Sequence, residues 1–157
     1  MVEDDRDLAF ALERLLSRAG YNVEVAGDAS SARHARARFG FDAVLLDLGL
    51  PDTDGLELLS TFVAEDASCP VVVLTGLDDA AHAVQALRRG AADYLTKPAP
   101  NEAVLHAMES SLERSSLARR LEAKGRCVPG AETLVGDSPA WLRAATALSA
   151  AALSQKT

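Results

Sequence analysis

Two short runs of apolar residues constrain the fold more than any other feature of the sequence. Residues 43–46 (Ala-Val-Leu-Leu) end at Asp47, and residues 71–74 (Val-Val-Val-Leu) follow Pro70 and end at Thr75. Strands that are apolar on both faces are typical of a parallel sheet covered by helices on both sides. The runs therefore predict two successive interior strands of an α/β domain.

Helical patterns separate these runs. Apolar residues recur at helical spacing from Leu8 to Ala19, and Gly20 follows as a predicted C-cap. Further helices are predicted over residues 29–39, after Gly55, over residues 80–89, and from Asn101 onward, and weaker strand patterns cover residues 23–26 and 93–96. Strands that alternate with helices predict right-handed crossovers and a parallel sheet.

Composition excludes several classes of function. The 157 residues carry a net charge of −7, which argues against nucleic-acid binding through a general basic surface. We interpret the one basic cluster as the solvated face of a helix; it contains Arg33, His34, Arg36 and Arg38. The spacing of the two cysteines indicates neither a metal site nor a disulfide framework. No segment resembles a membrane span or a signal peptide. We therefore expect a cytoplasmic protein that contacts neither membrane nor nucleic acid directly.

Polar residues stand where three predicted strands end. These residues are Asp47, Thr75 and, just past its strand, Lys97. Functional groups of open α/β sheets lie at the carboxyl ends of the strands, so a carboxylate, a hydroxyl and an ammonium group should meet at one edge. Each residue alone could be an ordinary strand end, but the three together predict an anion-handling site that has its own nucleophile.

Four segments resemble those of response-regulator receiver domains, in the same order. They are residues 2–5 (Val-Glu-Asp-Asp), 47–55 (Asp-Leu-Gly-Leu-Pro-Asp-Thr-Asp-Gly), 73–76 (Val-Leu-Thr-Gly) and 90–98 (Gly-Ala-Ala-Asp-Tyr-Leu-Thr-Lys-Pro). The resemblance implies a flavodoxin-like, doubly wound, five-stranded parallel sheet of order 2-1-3-4-5 with five helices. It also implies a switch, phosphorylated by a histidine kinase or phosphotransfer protein, that controls an output such as transcription and catalyses only its own phosphorylation and dephosphorylation.

The resemblance also assigns roles to individual residues. Asp47 would be the phosphoacceptor, supported by the Lys97 charge, the Thr75 hydroxyl and backbone N–H groups near Leu48 and Gly76. Mg²⁺ would bind Glu3, Asp4, Asp47 and the backbone carbonyl of Gly49, with Asp5 outside the acidic pair. Thr75 and Tyr94 would form the conformational switch, although Tyr94 could instead be a half-buried aromatic residue of an edge strand. Gly49 and Leu77 would flank the path of the hydrolytic water and slow dephosphorylation, because neither side chain can orient it.

Two other functions fit parts of this pattern. An aspartyl-phosphate-type phosphohydrolase would need a second Asp two residues after the nucleophile, where Gly49 stands. A receiver that serves only for docking would not need the intact Asp47, Thr75 and Lys97. A calcium loop at Asp52 and Asp54 is rejected because Leu50 and Thr61 occupy positions that need acidic ligands.

The two ends of the chain depart from a simple receiver. Only Met1 and Val2 precede the acidic pair, so we expect a shortened first strand, as in a truncated chain or one with a misassigned start. Residues 104–121 can form one long helix with an imperfect apolar seam, which either frays or forms a dimerising linker. We predict a receiver over residues 1–117 and a helical linker and break over 118–133. Residues 134–157 resemble the start of an AAA+ domain of nitrogen-regulator-type activators but lack a phosphate loop.

Overall fold

The computed structural model describes residues 1–76 and 80–126, and Met1–Glu122 form one compact unit. Five helices and three strands alternate along the described chain. In order they are α1 (Arg6–Arg18), α2 (Ala29–Arg38), β1 (Val44–Leu46), α3 (Gly55–Glu65), β2 (Val71–Thr75), α4 (Ala80–Arg88), β3 (Asp93–Thr96) and α5 (Asn101–Arg126). The predicted α/β alternation is confirmed.

The strands form a parallel sheet in the order β1-β2-β3. Val44 pairs with Val71, and Thr75 pairs with Thr96, so both predicted interior runs lie side by side. Every residue of β1 and β2 is buried, as expected for strands covered on both faces.

Val2 extends this sheet beyond β1 through two isolated parallel bridges, to Leu46 and to Ala26. Its amide donates to the Leu45 carbonyl at 2.8 Å, and its carbonyl accepts from the Asp47 amide at 3.0 Å. Val2 thus lies between β1 and the segment at Ala26. If Val2 and Ala26 count as the first and second strands, β1, β2 and β3 are the third, fourth and fifth, and the spatial order is 2-1-3-4-5 with a shortened first strand. The prediction of a strand over residues 23–26 is wrong except at Ala26, because Met1 and Val2 offer so short a neighbour to pair with.

The core has two halves, one on each face of the sheet. Successive β2 side chains point to opposite faces: Val71 and Val73 belong to one cluster, and Val72 and Leu74 to the other. Helix α3 covers the first cluster, where Phe62 is almost fully buried. Helices α1 and α5 cover the second; their core residues there include Leu12, Leu16, Val104 and Met108. The fold is therefore doubly wound.

The basic cluster on α2 differs from its prediction at one residue. Arg33, His34 and Arg38 are exposed, as expected of a solvated face. The Arg36 side chain is only 11% exposed; its Nε lies 3.0 Å from the Glu65 carboxylate, and its guanidinium group stacks over a ring of the core. Its long apolar stem and stacking guanidinium allow this burial, which a count of charged residues does not reveal.

Helix α5 runs beyond the predicted residues 104–121, to Arg126, and so extends into the segment 118–133 that was predicted as a helical linker and break. Met108 is buried, whereas Leu117 and Leu121, later in the predicted seam, are 58% and 62% exposed. Residues 127–157, which include the segment resembling an AAA+ domain, lie outside the described residues. In the described part of the chain, no helix is long and apolar enough to cross a membrane.

Candidate functional site

The carboxyl edge of the sheet brings the predicted polar residues together. Asp47 directly follows β1, Thr75 ends β2, and Lys97 comes one residue after β3. The Lys97 Nζ lies 2.6 Å from Asp47 Oδ2 and 2.7 Å from Glu3 Oε2. Residues separated by up to 94 positions in sequence therefore converge because parallel strands end at a common edge.

Asp47 is buried, and its carboxylate accepts several hydrogen bonds. The Gly49 amide donates to its Oδ1 at 3.0 Å, and the Thr75 hydroxyl hydrogen-bonds to the same carboxylate. Burial disfavours the charged form of Asp47, but the bonds from Gly49, Lys97 and Thr75 outweigh burial and lower its pKa. The carboxylate is therefore ionised and nucleophilic at neutral pH.

The pKa values of the two carboxyl groups that contact Lys97 shift in opposite directions. Burial raises the pKa of Glu3 above its usual value, and hydrogen bonding to Lys97 offsets this only in part. Burial lowers the pKa of Lys97, but its hydrogen bonds to Asp47 and Glu3 dominate and raise it overall. One ammonium group is thus shared by two buried carboxyl groups, which leaves this edge acidic.

A third carboxylate adds to this acidic edge. Glu3, Asp4 and Asp47 each offer an oxygen, and these oxygens lie within 4.8 Å of one another. Hard divalent cations prefer such oxygen ligands, so the donor set fits Mg²⁺. Asp5 instead caps α1, where its Oδ1 accepts the amides of Asp7 and Leu8.

The loop after the acceptor packs tightly against α3. A Cβ atom at Gly55 would lie 2.3 Å from the Leu48 Cα, so only glycine lets α3 begin directly beside Asp47. A Cβ atom at Gly49 would instead lie 3.7 Å from the Asp47 carboxylate oxygens, an ordinary contact. Position 49 can therefore accept a side chain next to the acceptor.

The other predicted site residues differ in their solvent exposure. Gly76 is exposed directly after Thr75, and Leu48 is buried beside Asp47. Tyr94 is half-buried and packs against the core cluster that contains Phe62. Leu77 lies outside the described residues.

Sequence reasoning missed one residue of this loop. The Asp52 carboxylate accepts hydrogen bonds from the amides of Ala29 and Ser30 at the start of α2. An acidic residue in a turn gives no indication of a partner more than 20 positions away, so only the fold reveals the contact.

A doubly wound parallel sheet with an acidic pocket, a strand-end Thr and a Lys at its carboxyl edge defines a phosphoryl-signalling type of domain. The sequence profile of the response regulator receiver domain family matches residues 1–109, and the chain belongs to this family.

Known proteins agree with this assignment. The chain is 36% identical over 139 residues to the C4-dicarboxylate transport transcriptional regulatory protein DctD of Pseudomonas aeruginosa, covering 82% of this chain and 30% of DctD. It is 32% identical to the transcriptional regulatory protein FixJ of Bradyrhizobium diazoefficiens, covering 78% of this chain and 60% of FixJ. The crystal structure of NtrX from Brucella abortus superposes with a TM-score of 0.76 at 32% identity, covering 81% of this chain and 30% of NtrX. The chain thus spans less than two thirds of these regulators.

Proposed function

We propose that Asp47 accepts a phosphoryl group from the phosphohistidine of a histidine kinase or phosphotransfer protein, and that this modification controls an output such as transcription. One observation carries the proposal. Asp47 is a buried but ionised carboxylate held between the Gly49 amide, the Thr75 hydroxyl and the Lys97 ammonium group. A nucleophile fixed among hydrogen-bond donors is suited to forming and stabilising an acyl phosphate.

The transfer follows from these positions. A carboxylate oxygen of Asp47 attacks phosphorus in line, a P–O bond forms, and the P–N bond to the phosphohistidine breaks. The electron pair of that bond returns to the imidazole nitrogen. Lys97 and Thr75 then face the new phosphoryl oxygens, and the backbone N–H groups near Leu48 and Gly76 complete the set of donors.

Mg²⁺ would be held by the carboxylates of Glu3, Asp4 and Asp47 and by the Gly49 carbonyl. Bound there, the cation would neutralise charge on the transferring phosphoryl group. Glu3 and Asp47 already share the Lys97 ammonium group, so the protein itself provides part of this compensation.

The lifetime and readout of the modification belong to the same proposal. Thr75 and Tyr94 would move together when the phosphoryl group engages the Thr75 hydroxyl. Gly49 places no side chain beside the acceptor, and Leu77 would add only an apolar one, so neither would orient a hydrolytic water. We expect slow self-dephosphorylation.

The segments after the receiver connect it to its output. We take residues 1–117 as the receiver, 118–133 as a helical linker and break, and 134–157 as the start of a further, AAA+-like region. Leu117 and Leu121 are exposed on α5, and pairing of two such helices would bury them in a homodimer. The chain would thus act as the regulatory part of a longer activator.

Incubation with acetyl phosphate and Mg²⁺ tests the function. The chain should gain one phosphoryl group by intact mass, only when Mg²⁺ is present, and Asp47→Asn should abolish the gain because it removes the nucleophile. Asp42→Asn, which changes the same charge at the opposite edge of the sheet, is the matched control and should behave like the parent. Equal modification of Asp47→Asn would show the assignment to be wrong.

A further inference from the structure

We infer that Asp52 is a positioning residue that connects the two halves of the metal site across the carboxyl edge of the sheet. This inference rests on the proposed function, because it concerns the Mg²⁺ site assigned there. Asp52 Oδ1 accepts the Ala29 amide at 3.0 Å, and Asp52 Oδ2 accepts the Ser30 amide at 3.1 Å.

One half of the site lies in the loop after Asp47. This loop is fixed at its start by the Gly49 amide, which donates to Asp47, and at its end by Asp54, which caps α3 by accepting the Leu56 amide at 2.8 Å. Between these ends lies the turn that carries the Gly49 carbonyl. The Asp52 carboxylate connects this turn to the start of helix α2.

The other half of the site lies beside the start of α2. Ala29 is fully buried, and nearby Ala26 forms a bridge to Val2 and accepts the Glu3 amide at 2.9 Å. The start of α2 is therefore fixed relative to Glu3. The hydrogen bonds from α2 to Asp52 add a second connection between the Glu3 side of the site and the loop that carries Gly49, beside the direct bond from the Asp47 amide to the Val2 carbonyl.

The contact between the Asp52 carboxylate and the first amides of α2 is expected to be stable. The first amides of a helix have no partner within the helix, and a carboxylate that accepts two of them satisfies both and interacts favourably with the helix dipole. Asp52 could simply stabilise α2 in this way. Asp28 also caps α2, since its Oδ1 accepts the Ser31 amide at 2.6 Å, but it does not belong to the acceptor loop. Asp28 therefore offers a matched control for the capping role.

Mg²⁺ titration of the full chain by calorimetry, without phosphodonor, separates the two roles. Asp52→Ala should weaken Mg²⁺ binding by about 10-fold, the lower end of the effect of removing groups that orient metal ligands. Asp28→Ala should lower the melting temperature by a similar amount yet leave Mg²⁺ affinity unchanged. Asp52→Asn should fall between parent and Asp52→Ala, because its amide oxygen accepts only from one side.

A second measurement keeps this inference separate from the proposed function. In metal-free protein, hydrogen exchange of the Gly49 amide should be faster in Asp52→Ala than in the parent, and unchanged in Asp28→Ala. Equal effects of both variants, or no effect of Asp52→Ala on either measurement, would overturn the positioning role. Failure of the parent to take up a phosphoryl group, with the exchange result as expected, would instead contradict the proposed function alone.

Discussion

The two edges of the sheet differ in how completely they are built. At the carboxyl edge, Lys97 joins Asp47 and Glu3 through contacts of 2.6–2.8 Å. At the opposite edge, a groove of about 500 Å³ opens beside Met1, between residues 20–24 and 39–43. The Met1 ammonium group donates to the Glu24 carbonyl there, and burial lowers its pKa to about 6. A fully assembled acceptor site is thus compatible with a sparsely paired opposite edge.

The largest effect is expected from removing the shared cation of the carboxyl edge. Lys97→Ala leaves Glu3 and Asp47 buried without their ammonium partner, and breaking a buried pair costs about 3 kcal/mol or more. The free energy of unfolding in urea should fall by about that amount without metal and recover substantially in Mg²⁺.

The double variant Lys97→Ala/Glu3→Gln is the control for this prediction, since it removes the surplus charge. It should regain much of the metal-free stability but respond less to Mg²⁺. A stability of Lys97→Ala equal to that of the parent in EDTA would mean that the ion pairs contribute little to holding this edge together.

A slightly smaller effect is expected on the lifetime of the acyl phosphate. Gly49→Asn/Leu77→Glu adds polar groups at the two positions proposed to flank the hydrolytic water. Orienting a water by such a group is worth about 10²-fold in rate, or about 2.7 kcal/mol in the barrier. Decay of phosphorylated protein, followed by intact mass, should be faster in the double variant. Gly49→Ala serves as the control, because it fills space without a polar group. Equal or slower decay in the double variant contradicts the proposed role of these positions.

The smallest of these effects concerns the opposite edge. About four apolar residues added before Val2, in place of Met1, would continue the strand between residues 22–25 and 42–45 and replace the buried terminal amino group by an amide. Ladder hydrogen bonds contribute about 1 kcal/mol each, so a gain of about 2 kcal/mol in the free energy of unfolding is expected. An extension of four polar residues of equal length is the control. Equal stability of both extensions would show that the groove does not accept a strand, and the rate of phosphorylation should change little in either.

The sequence predicts the interior strands of the sheet better than it predicts the segment that pairs with Val2. Residues 71–74, which end at Thr75, are predicted as a buried strand because every one of them is apolar. Asp47 directly follows the similar run at residues 43–46, so the sequence also predicts that Asp47 lies at the carboxyl edge of the sheet. Residues 23–26 have a similar strand pattern but lack a neighbour long enough to pair with. Strand formation requires a second segment to pair with, so the local sequence pattern of residues 23–26 cannot predict whether they form a strand.

Contacts of polar side chains were the least predictable part of the molecule. Arg36 and Asp52 are both charged residues on or near helix α2, and the sequence indicates no partner for either side chain. Arg36 is buried against Glu65, and Asp52 binds amides more than 20 residues away. In both cases the partner is fixed by packing of α2 against the next helix and loop, which no sequence spacing encodes.

Chemical trapping identifies directly the residue that carries the phosphoryl group, which we propose is Asp47. Treating acetyl-phosphate-modified protein with borohydride reduces an acyl phosphate to the corresponding alcohol, which marks the modified residue as homoserine. Peptide sequencing by mass spectrometry should find homoserine at position 47 and unmodified aspartate at positions 4, 52 and 54. Homoserine at any of these other positions, or none at position 47 in protein that has gained a phosphoryl group, would show that Asp47 is not the acceptor.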